Sequence, residues 1–455
     1  MNETLLSLLL CPCCGGGFRW EPAGPVPGWG VLACRRHRYP VIEEIPVLRP
    51  GRSTEAAIAA IERGDPAGAL GATLAAAPGA RADRLLGGLG AYLLRGSTFS
   101  PLAAARMGAR LHGDSAPASF RAQNRVLLGR GPRGSPSAAE GFALERSDPS
   151  FVVAEGLAGA LLPREKAVLD LACGVGHLAA SLGELAEGRL VAGLDALFPA
   201  LLLARRFVSP HAALVCADAG APLPFRDGSF GMVICAGGFL DLPFLPAAAR
   251  EVARVLSARD GVACLTHLPG PASAAPALSP EYYLEALAPL AVSFVDEREA
   301  LASLVGSGRR AASPVADPAE LRASLRLVAV GGSAPPREIA IEGPVLPVAV
   351  GPIVWNPLYE KSSVDAAEGM RVLARSSFRY PSETEAGPLP GLLPESVRLP
   401  LALENPAYAA ETAPELLSSL LAQRVALTLP AGMAEAGGPS QRGGGGSTRQ
   451  RRSLS

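Results

Sequence analysis

The sequence predicts an α/β protein: a Rossmann-like doubly wound sheet preceded by a small cysteine-bearing unit and a helical linker. Three observations carry that expectation. From Lys166 onward short apolar runs alternate with helical stretches, the first run opens into a glycine loop, and two cysteine-containing turns stand near the N-terminus.

Composition sets the frame. A chain of 455 residues exceeds one ordinary core, so several units are expected. With 49% hydrophobic and 18% charged residues it is a folded chain and not a disordered one. A formal net charge of zero gives no general pull towards nucleic acid or an anionic membrane, although a local patch can still meet phosphate. Nearly all basic residues are arginine, Lys166 and Lys361 excepted, so no single arginine marks an RNA surface. The start, MNETLLSLLLC, lacks the basic segment and long apolar run of an export signal. No stretch of about 18 uncharged apolar residues follows it. A soluble, cytoplasmic chain without a membrane span is expected, and four cysteines clustered with a histidine at metal spacing suit a reducing compartment.

Residues 1–50 hold Cys11, Cys13, Cys14, Cys34 and His37 and the strand-like runs Gly30–Ala33 and Tyr39–Ile42. They carry too few apolar side chains for a core. Cys11-Pro-Cys13-Cys14 and Cys34-Arg-Arg-His37 are two chelating turns, and tetrahedral zinc takes four thiolate or imidazole ligands from such pairs. Cys11 and Cys14 give the two-residue interval that Cys13 does not, so the predicted ligands are Cys11, Cys14, Cys34 and His37. Residues 51–150 read as helices and loops, with helical periodicity over Glu55–Arg63 and Leu102–Leu111. Within them AIERGDPAGAL reads as a helical hairpin.

Residues 151–360 carry the alternating pattern: VLDLA, VAGLD, AALVCAD, MVICA and VACLTHL, separated by helices, predict a parallel sheet. Two later runs, Leu325–Val330 and Val345–Val354, are expected to complete it as an antiparallel pair. Residues 361–430 read as a mixed extension and 431–455 as a low-complexity, disordered tail.

VLDLACGVGHLA, Val168 to Ala179, has strand, turn and helix in the order of a nucleotide site. Asp170 and Asp195 end successive strands, placed to accept hydrogen bonds from ribose hydroxyls. The nicotinamide pattern needs three glycines spaced for a pyrophosphate. Here Asp170, Ala172, Gly174 and Gly176 instead follow a D-x-G-x-G-x-G pattern, and the region resembles the class I S-adenosylmethionine (SAM)-dependent methyltransferases of the methyltransferase type 11-like group. Alanine at the first glycine position is expected to take an ordinary backbone angle. The resemblance implies a cofactor set of Asp170, Ala172, Gly174, Gly176, Asp195, Asp218 and Ala219, with Asp218 at the adenine amino group and Ala219 beside the ring. The family usually carries aspartate where Gly231 stands, a departure that bears on strand geometry more than on cofactor contact.

The pattern LLxCPxC, followed by C-x-x-H-x-Y-P-V and I-P-V-L, resembles the zinc-ribbon family that includes small activators of tRNA and protein methyltransferases. His37 replaces the commoner fourth cysteine. Cofactors implied are therefore SAM and zinc.

Methyl transfer needs an in-line nucleophile and sometimes a base. His267, at the end of the fifth strand run in LTHLPGP, is the candidate catalytic base, against the plainer reading of a structural or substrate-lining histidine. His177 is expected to pack or cap near the cofactor, and Cys173, Cys216, Cys235 and Cys264 to be small buried residues. Asp241 is read as a loop acid. Cys235-Ala-Gly-Gly-Phe239 stands where nucleic-acid amino methyltransferases often carry Asn/Asp-Pro-Pro-Tyr. Three functions follow in order: methylation of a small molecule or natural product, methylation of RNA or protein assisted by the ribbon, and non-catalytic binding of SAM and zinc.

Overall fold

The computed structural model describes residues 1–23, 26–75, 100–113, 116–127, 145–220, 222–273, 278–305, 311–312, 314–333, 339–340, 351–365, 367–375, 392–403 and 405–433. The segment GRGPRGSPS and most of the tail expected to be disordered lie outside these residues.

The N-terminal unit opens with helix α1 (Glu3–Leu8), whose Leu5 amide donates to the Asn2 side chain at 3.0 Å. An antiparallel sheet follows in chain order: β1 (Arg19–Pro22), β2 (Gly30–Ala33), β3 (Arg38–Ile42) and β4 (Ile45–Pro46). The two predicted runs become β2 and β3. β1 reads RWEP and is exposed at both ends, which leaves no hydrophobic alternation to detect. Leu5, Leu9, Leu32, Tyr39 and Val41 are buried together with Leu169, Leu194 and Val215 of the main sheet and with Phe225 of the loop that precedes β8. The unit therefore lacks a core of its own and shares one.

The linker begins as a helical hairpin, α2 (Arg52–Glu62) and α3 (Pro66–Leu74), with Asp65 accepting from the Gly68 amide at 2.8 Å and Pro66 in the first turn. Helices α4 (Pro101–Leu111), α5 (Phe120–Leu127) and α6 (Pro149–Ala160) follow. Nearly every residue of α6 is buried, because the sheet and the C-terminal region cover it on several sides.

The main sheet is built from β5 (Ala167–Leu171), helix α7 (His177–Leu185), β6 (Val191–Asp195), helix α8 (Phe198–Leu203), β7 (Ala213–Cys216), β8 (Phe230–Ala236), helix α9 (Leu245–Val255), β9 (Val262–Pro269), helix α10 (Pro280–Leu287), β10 (Ser293–Asp296), helix α11 (Glu297–Val305) and, beyond the short strand β11 (Ala311–Ala312), β12 (Arg326–Gly332). Its order is β10-β12-β9-β8-β5-β6-β7. β5 to β9 pair in parallel, and β12 runs antiparallel between β9 and β10. Chain direction across the sheet reverses between β5 and β8, which opens a crevice at their carboxyl ends. Side chains alternate between the faces: Val168, Met232 and Ile234 pack with α7 and α8, whereas Leu169, Leu171 and Val233 pack with α9 and α10.

The expected strand Leu325–Val330 is β12. Val345–Val354 is a correction. Its residues 345–350 lie outside the described set, and Ile353 and Val354 belong to a different sheet. There β14 (Ile353–Trp355) pairs with β18 (Ala426–Thr428). The place in the main sheet goes to β10, whose four residues, Ser-Phe-Val-Asp, are too few to show a period. A minor pair joins β11 to β13 (Ile339–Ala340). The extension adds an antiparallel meander, β15 (Tyr359–Asp365), β16 (Met370–Arg375) and β17 (Ser396–Pro400), and helices α12 (Ala409–Thr412) and α13 (Pro414–Ala422).

Two attachments position the outer units. The open edge of the main sheet, β7, is bridged in parallel by Val47, and the Leu48 amide donates to the Cys216 carbonyl at 2.8 Å. Antiparallel contact of Leu9 with Phe225 and the ion pair of Arg206 with Glu43 add to this docking. On the other face, Glu155 of α6 lies between two arginines: its carboxylate accepts from Arg146 at 3.1 Å, from Arg424 at 2.7 Å and from the Ser181 hydroxyl at 2.5 Å. All three charged side chains are at most 5% exposed. Next to them Asn356, fully buried, donates to Ser147 and to the Arg424 carbonyl and accepts from the Leu358 amide.

Breaking a buried charge network strands its remaining members. Glu155→Ala is expected to destabilise the chain by about 3–5 kcal/mol, seen as a lower midpoint of chemical denaturation. An unchanged midpoint would mean that water replaces the carboxylate.

Candidate cofactor site and metal centre

The glycine loop lies at the carboxyl ends of β5 and β6, on the crevice. Gly174 donates its amide to one oxygen of Asp195 at 2.9 Å, and the other oxygen accepts from the Leu197 amide at 2.7 Å. Asp195 thus clamps the loop to β6. Gly174 and Gly176 both have positive φ, 54° and 81°, and Gly176 caps α7. A side chain at Gly174 would meet none of the described residues within 4 Å, so among them the loop faces open space there.

Ala172 departs from expectation. Its φ is +58°, in the left-handed region, and not the ordinary angle expected of alanine. The methyl group is housed because Gly238 stands opposite: a Cβ on Gly238 would lie 2.6 Å from that of Ala172. The departure at Gly231 also has a steric origin, since a Cβ there would approach Lys166 and Pro163 to 2.8 and 2.9 Å.

Asp170 is placed differently from a ribose ligand. It is 2% exposed, lies under the Ala179 amide of α7, and its Oδ2 has no hydrogen-bond partner among the described residues. Burial pushes its carboxyl up to about 8, with Asp195 adding in the same direction. Its position serves the loop from beneath and leaves Asp195 as the acid at the crevice. Asp195 is itself raised by burial, against the pull of the amides it accepts from and of Arg49. Asp218, just past β7, is exposed and accepts from the Gly220 amide at 2.8 Å, while Ala219 is buried beside it. The residues present fit an adenosyl group: a carboxylate at the crevice, a second one at the adjoining strand end, and an open loop between.

His267 also has a left-handed backbone, φ +62°, which turns its half-buried ring towards Gly237 at the mouth. Its Nδ1 lies 2.7 Å from the Thr266 hydroxyl. Burial pushes the imidazole down to about 4, so it is neutral at physiological pH. Around the mouth stands a network that no motif announced. The Ser150 hydroxyl donates to Glu297 and accepts from Arg326 at 2.6 Å, and burial pushes Glu297 up to about 7. These residues come from segments far apart in sequence and carry no spacing signal. His177 is buried at the start of α7, with its Nε2 2.8 Å from Glu145. Cys173, Cys216, Cys235 and Cys264 are buried, and burial raises each thiol. Asp241 is half-buried, and burial pushes it up to about 6.

The ligand atoms of Cys11, Cys14, Cys34 and His37 all lie within 4.8 Å of one another. Cys11 Sγ is 3.4 Å from His37 Nδ1, and Cys14 Sγ is 3.6 Å from Cys34 Sγ. A tetrahedral ion with bonds of about 2.3 Å to sulfur needs sulfur atoms about 3.8 Å apart, so the spacing fits. Burial works against the Cys34 thiolate, yet the amides of Arg36 and His37 pull that thiol down to about 6. Cys13 stands aside and accepts from the Tyr39 hydroxyl at 3.3 Å.

Asp170 ties stability to pH. The folded carboxyl, at about 8, keeps a proton that the unfolded one releases near 4, so this group's contribution to stability falls as pH rises between those values. Asp170→Asn is expected to gain on the wild type between about pH 5 and about pH 8, measured by denaturation at both. A difference that does not change with pH would overturn this account.

Comparison with known proteins agrees on the central region. A family model described as a methyltransferase domain matches residues 168–259. A demethylmenaquinone methyltransferase of Thermus thermophilus is 40% identical over 118 residues, which are 25% of this chain and 53% of that protein. The chain therefore spans about half the length of that relative. Among solved structures, a TehB-like SAM-dependent methyltransferase from Corynebacterium glutamicum is 23% identical, covering 40% of this chain and 88% of its own, with a TM-score of 0.30. The Bacillus YcgJ protein is 19% identical, covering 42% and 99%, with a TM-score of 0.29. Residues 168–259, which hold β5 to β8, the glycine loop and α9, are thus the part of this chain that is similar to a methyltransferase domain.

Proposed function

We propose that the chain is an enzyme that transfers a methyl group from SAM to a small molecule. The observation that carries this reading is the glycine loop clamped by Asp195 at the reversal point of the sheet, inside the segment matched as a methyltransferase domain. SAM, when bound, supplies an electrophilic methyl group on a sulfonium. Asp195 accepts from the ribose hydroxyls with the lone pairs that Gly174 and Leu197 leave free. Asp218 accepts from the adenine amino group, with Ala219 against the ring, and Gly174 and Gly176 let the backbone approach the ligand. Asp170 and Ala172 shape the loop from below. His267, neutral and at the mouth, is the candidate to take a proton from the acceptor; a base this weak acts only as the proton is being released.

The small-molecule acceptor is supported by the relative that is a demethylmenaquinone methyltransferase, by zero net charge and by the absence of an Asn/Asp-Pro-Pro-Tyr motif after β8. Among the described residues no helix is long and apolar enough to cross a membrane. We place the chain in the cytoplasm, where thiols stay reduced and free to hold a metal. The second reading, an RNA or protein acceptor, is favoured by the Cys3His cluster with Arg35 and Arg36 exposed beside it. Zinc at Cys11, Cys14, Cys34 and His37 has its coordination closed by four protein ligands, so its role is structural.

Wild-type protein is expected to bind SAM, and Asp195→Ala to weaken binding about ten- to hundredfold by calorimetry. Equal affinity would remove Asp195 from the site. Incubation with labelled SAM and fractionated host lysate should place label in small molecules; label in RNA or protein selects the second reading, and none at all a binding module without catalysis.

Elemental analysis should find one zinc per chain, lost in Cys14→Ser and kept in Cys13→Ser. The reverse pattern would reassign the ligand.

A further inference from the structure

Resting on the SAM reading of the crevice, we infer that Arg49 of the N-terminal unit is a positioning residue of the cofactor site, its guanidinium facing the Asp195 carboxylate and setting how well that carboxylate receives the ribose. The metal-binding unit then helps to determine cofactor affinity, although every motif residue for the cofactor lies more than a hundred positions downstream.

The geometry follows from the edge pairing. Val47 bridges Cys216 in parallel, the Leu48 amide donates to the Cys216 carbonyl, and Cys216 is in register with Asp195 on β6. The N-terminal segment runs in the same direction as β5, β6 and β7, so its next residue, Arg49, emerges at the carboxyl end of the sheet. That is the end at which parallel sheets bind ligands. Adjacent strands lie about 4.8 Å apart, which puts the Arg49 and Asp195 backbones about 10 Å from one another, a gap that an extended arginine largely spans.

Two further observations agree. Nη2 of Arg49 is buried and has no hydrogen-bond partner among the described residues, while the Arg49 carbonyl is held by the Thr54 hydroxyl, which fixes the chain as it turns into α2. Its charge acts on both Asp195 and Cys216. The other groups that face this carboxylate are Asp170 on β5 and the thiols of Cys173 and Cys216. Burial keeps those neighbours protonated and uncharged near neutral pH, so they do not help to hold the Asp195 charge, whereas Arg49 does. A carboxylate so buried needs such a partner to stay a good acceptor.

The test is a double-mutant cycle on the zinc-loaded full chain, with S-adenosylhomocysteine binding measured by calorimetry and folding checked by circular dichroism and metal content. Arg49→Ala is expected to weaken binding about tenfold, Arg49→Lys to restore much of the loss, and Arg49→Ala to cost no more than about twofold once Asp195→Asn is present. Equal affinity in Arg49→Ala, full additivity in the double variant, or a lysine variant as weak as alanine would each overturn the proposal. Wild-type protein that binds no S-adenosylhomocysteine would overturn the SAM reading of the crevice and this proposal with it.

Discussion

Glu155 holds the molecule together at a point where three distant segments meet. One carboxylate satisfies Arg146 before the sheet, Arg424 in the extension and Ser181 on the helix that follows the glycine loop. Removing three such side chains from water costs more than a surface pair returns, so the network earns its place by geometry: alternative packings would leave an ion buried alone. Through Ser181 it fixes α7, and α7 carries the loop. The extension is thereby tied to the side of the sheet that holds the cofactor crevice.

The sheet was legible because its signal is local. VLDLA, VAGLD and MVICA are apolar runs of strand length between helices, and a strand buried on both faces has no choice but to be apolar throughout. The clustering of Cys11, Cys14, Cys34 and His37 was legible for the same reason, since two short turns bring their side-chain atoms within 4.8 Å of one another. What could not be read comes from contacts between remote segments. β10 is four residues long and is recognisable as a strand only through its pairing with β12. Glu297 and Ser150 are ordinary surface residue types until the fold buries them side by side. Arg49 is one arginine among many, distinguished by the strand it follows.

Ala172 is instructive in another way. Alanine was expected to relax the turn, yet the backbone kept the left-handed angle and the accommodation was made elsewhere, at Gly238 across the crevice. A loop whose ends are fixed by β5 and by Asp195 has little freedom to adapt to its own side chain. The conformation belongs to the site, and the residue tolerates it at a cost of about 1–2 kcal/mol.

The bridge between Val47 and Cys216 also has a consequence for the order of events on the ribosome. The N-terminal unit is complete long before the strand it docks on has been made, and Leu5, Leu9 and Val41 then have no sheet to cover them. Of its interactions, the four-ligand cluster is one that needs nothing downstream. Were a metal bound at that cluster, its early capture would hold the two turns in register while the rest of the chain emerges, and metal supply during synthesis would then bear on yield.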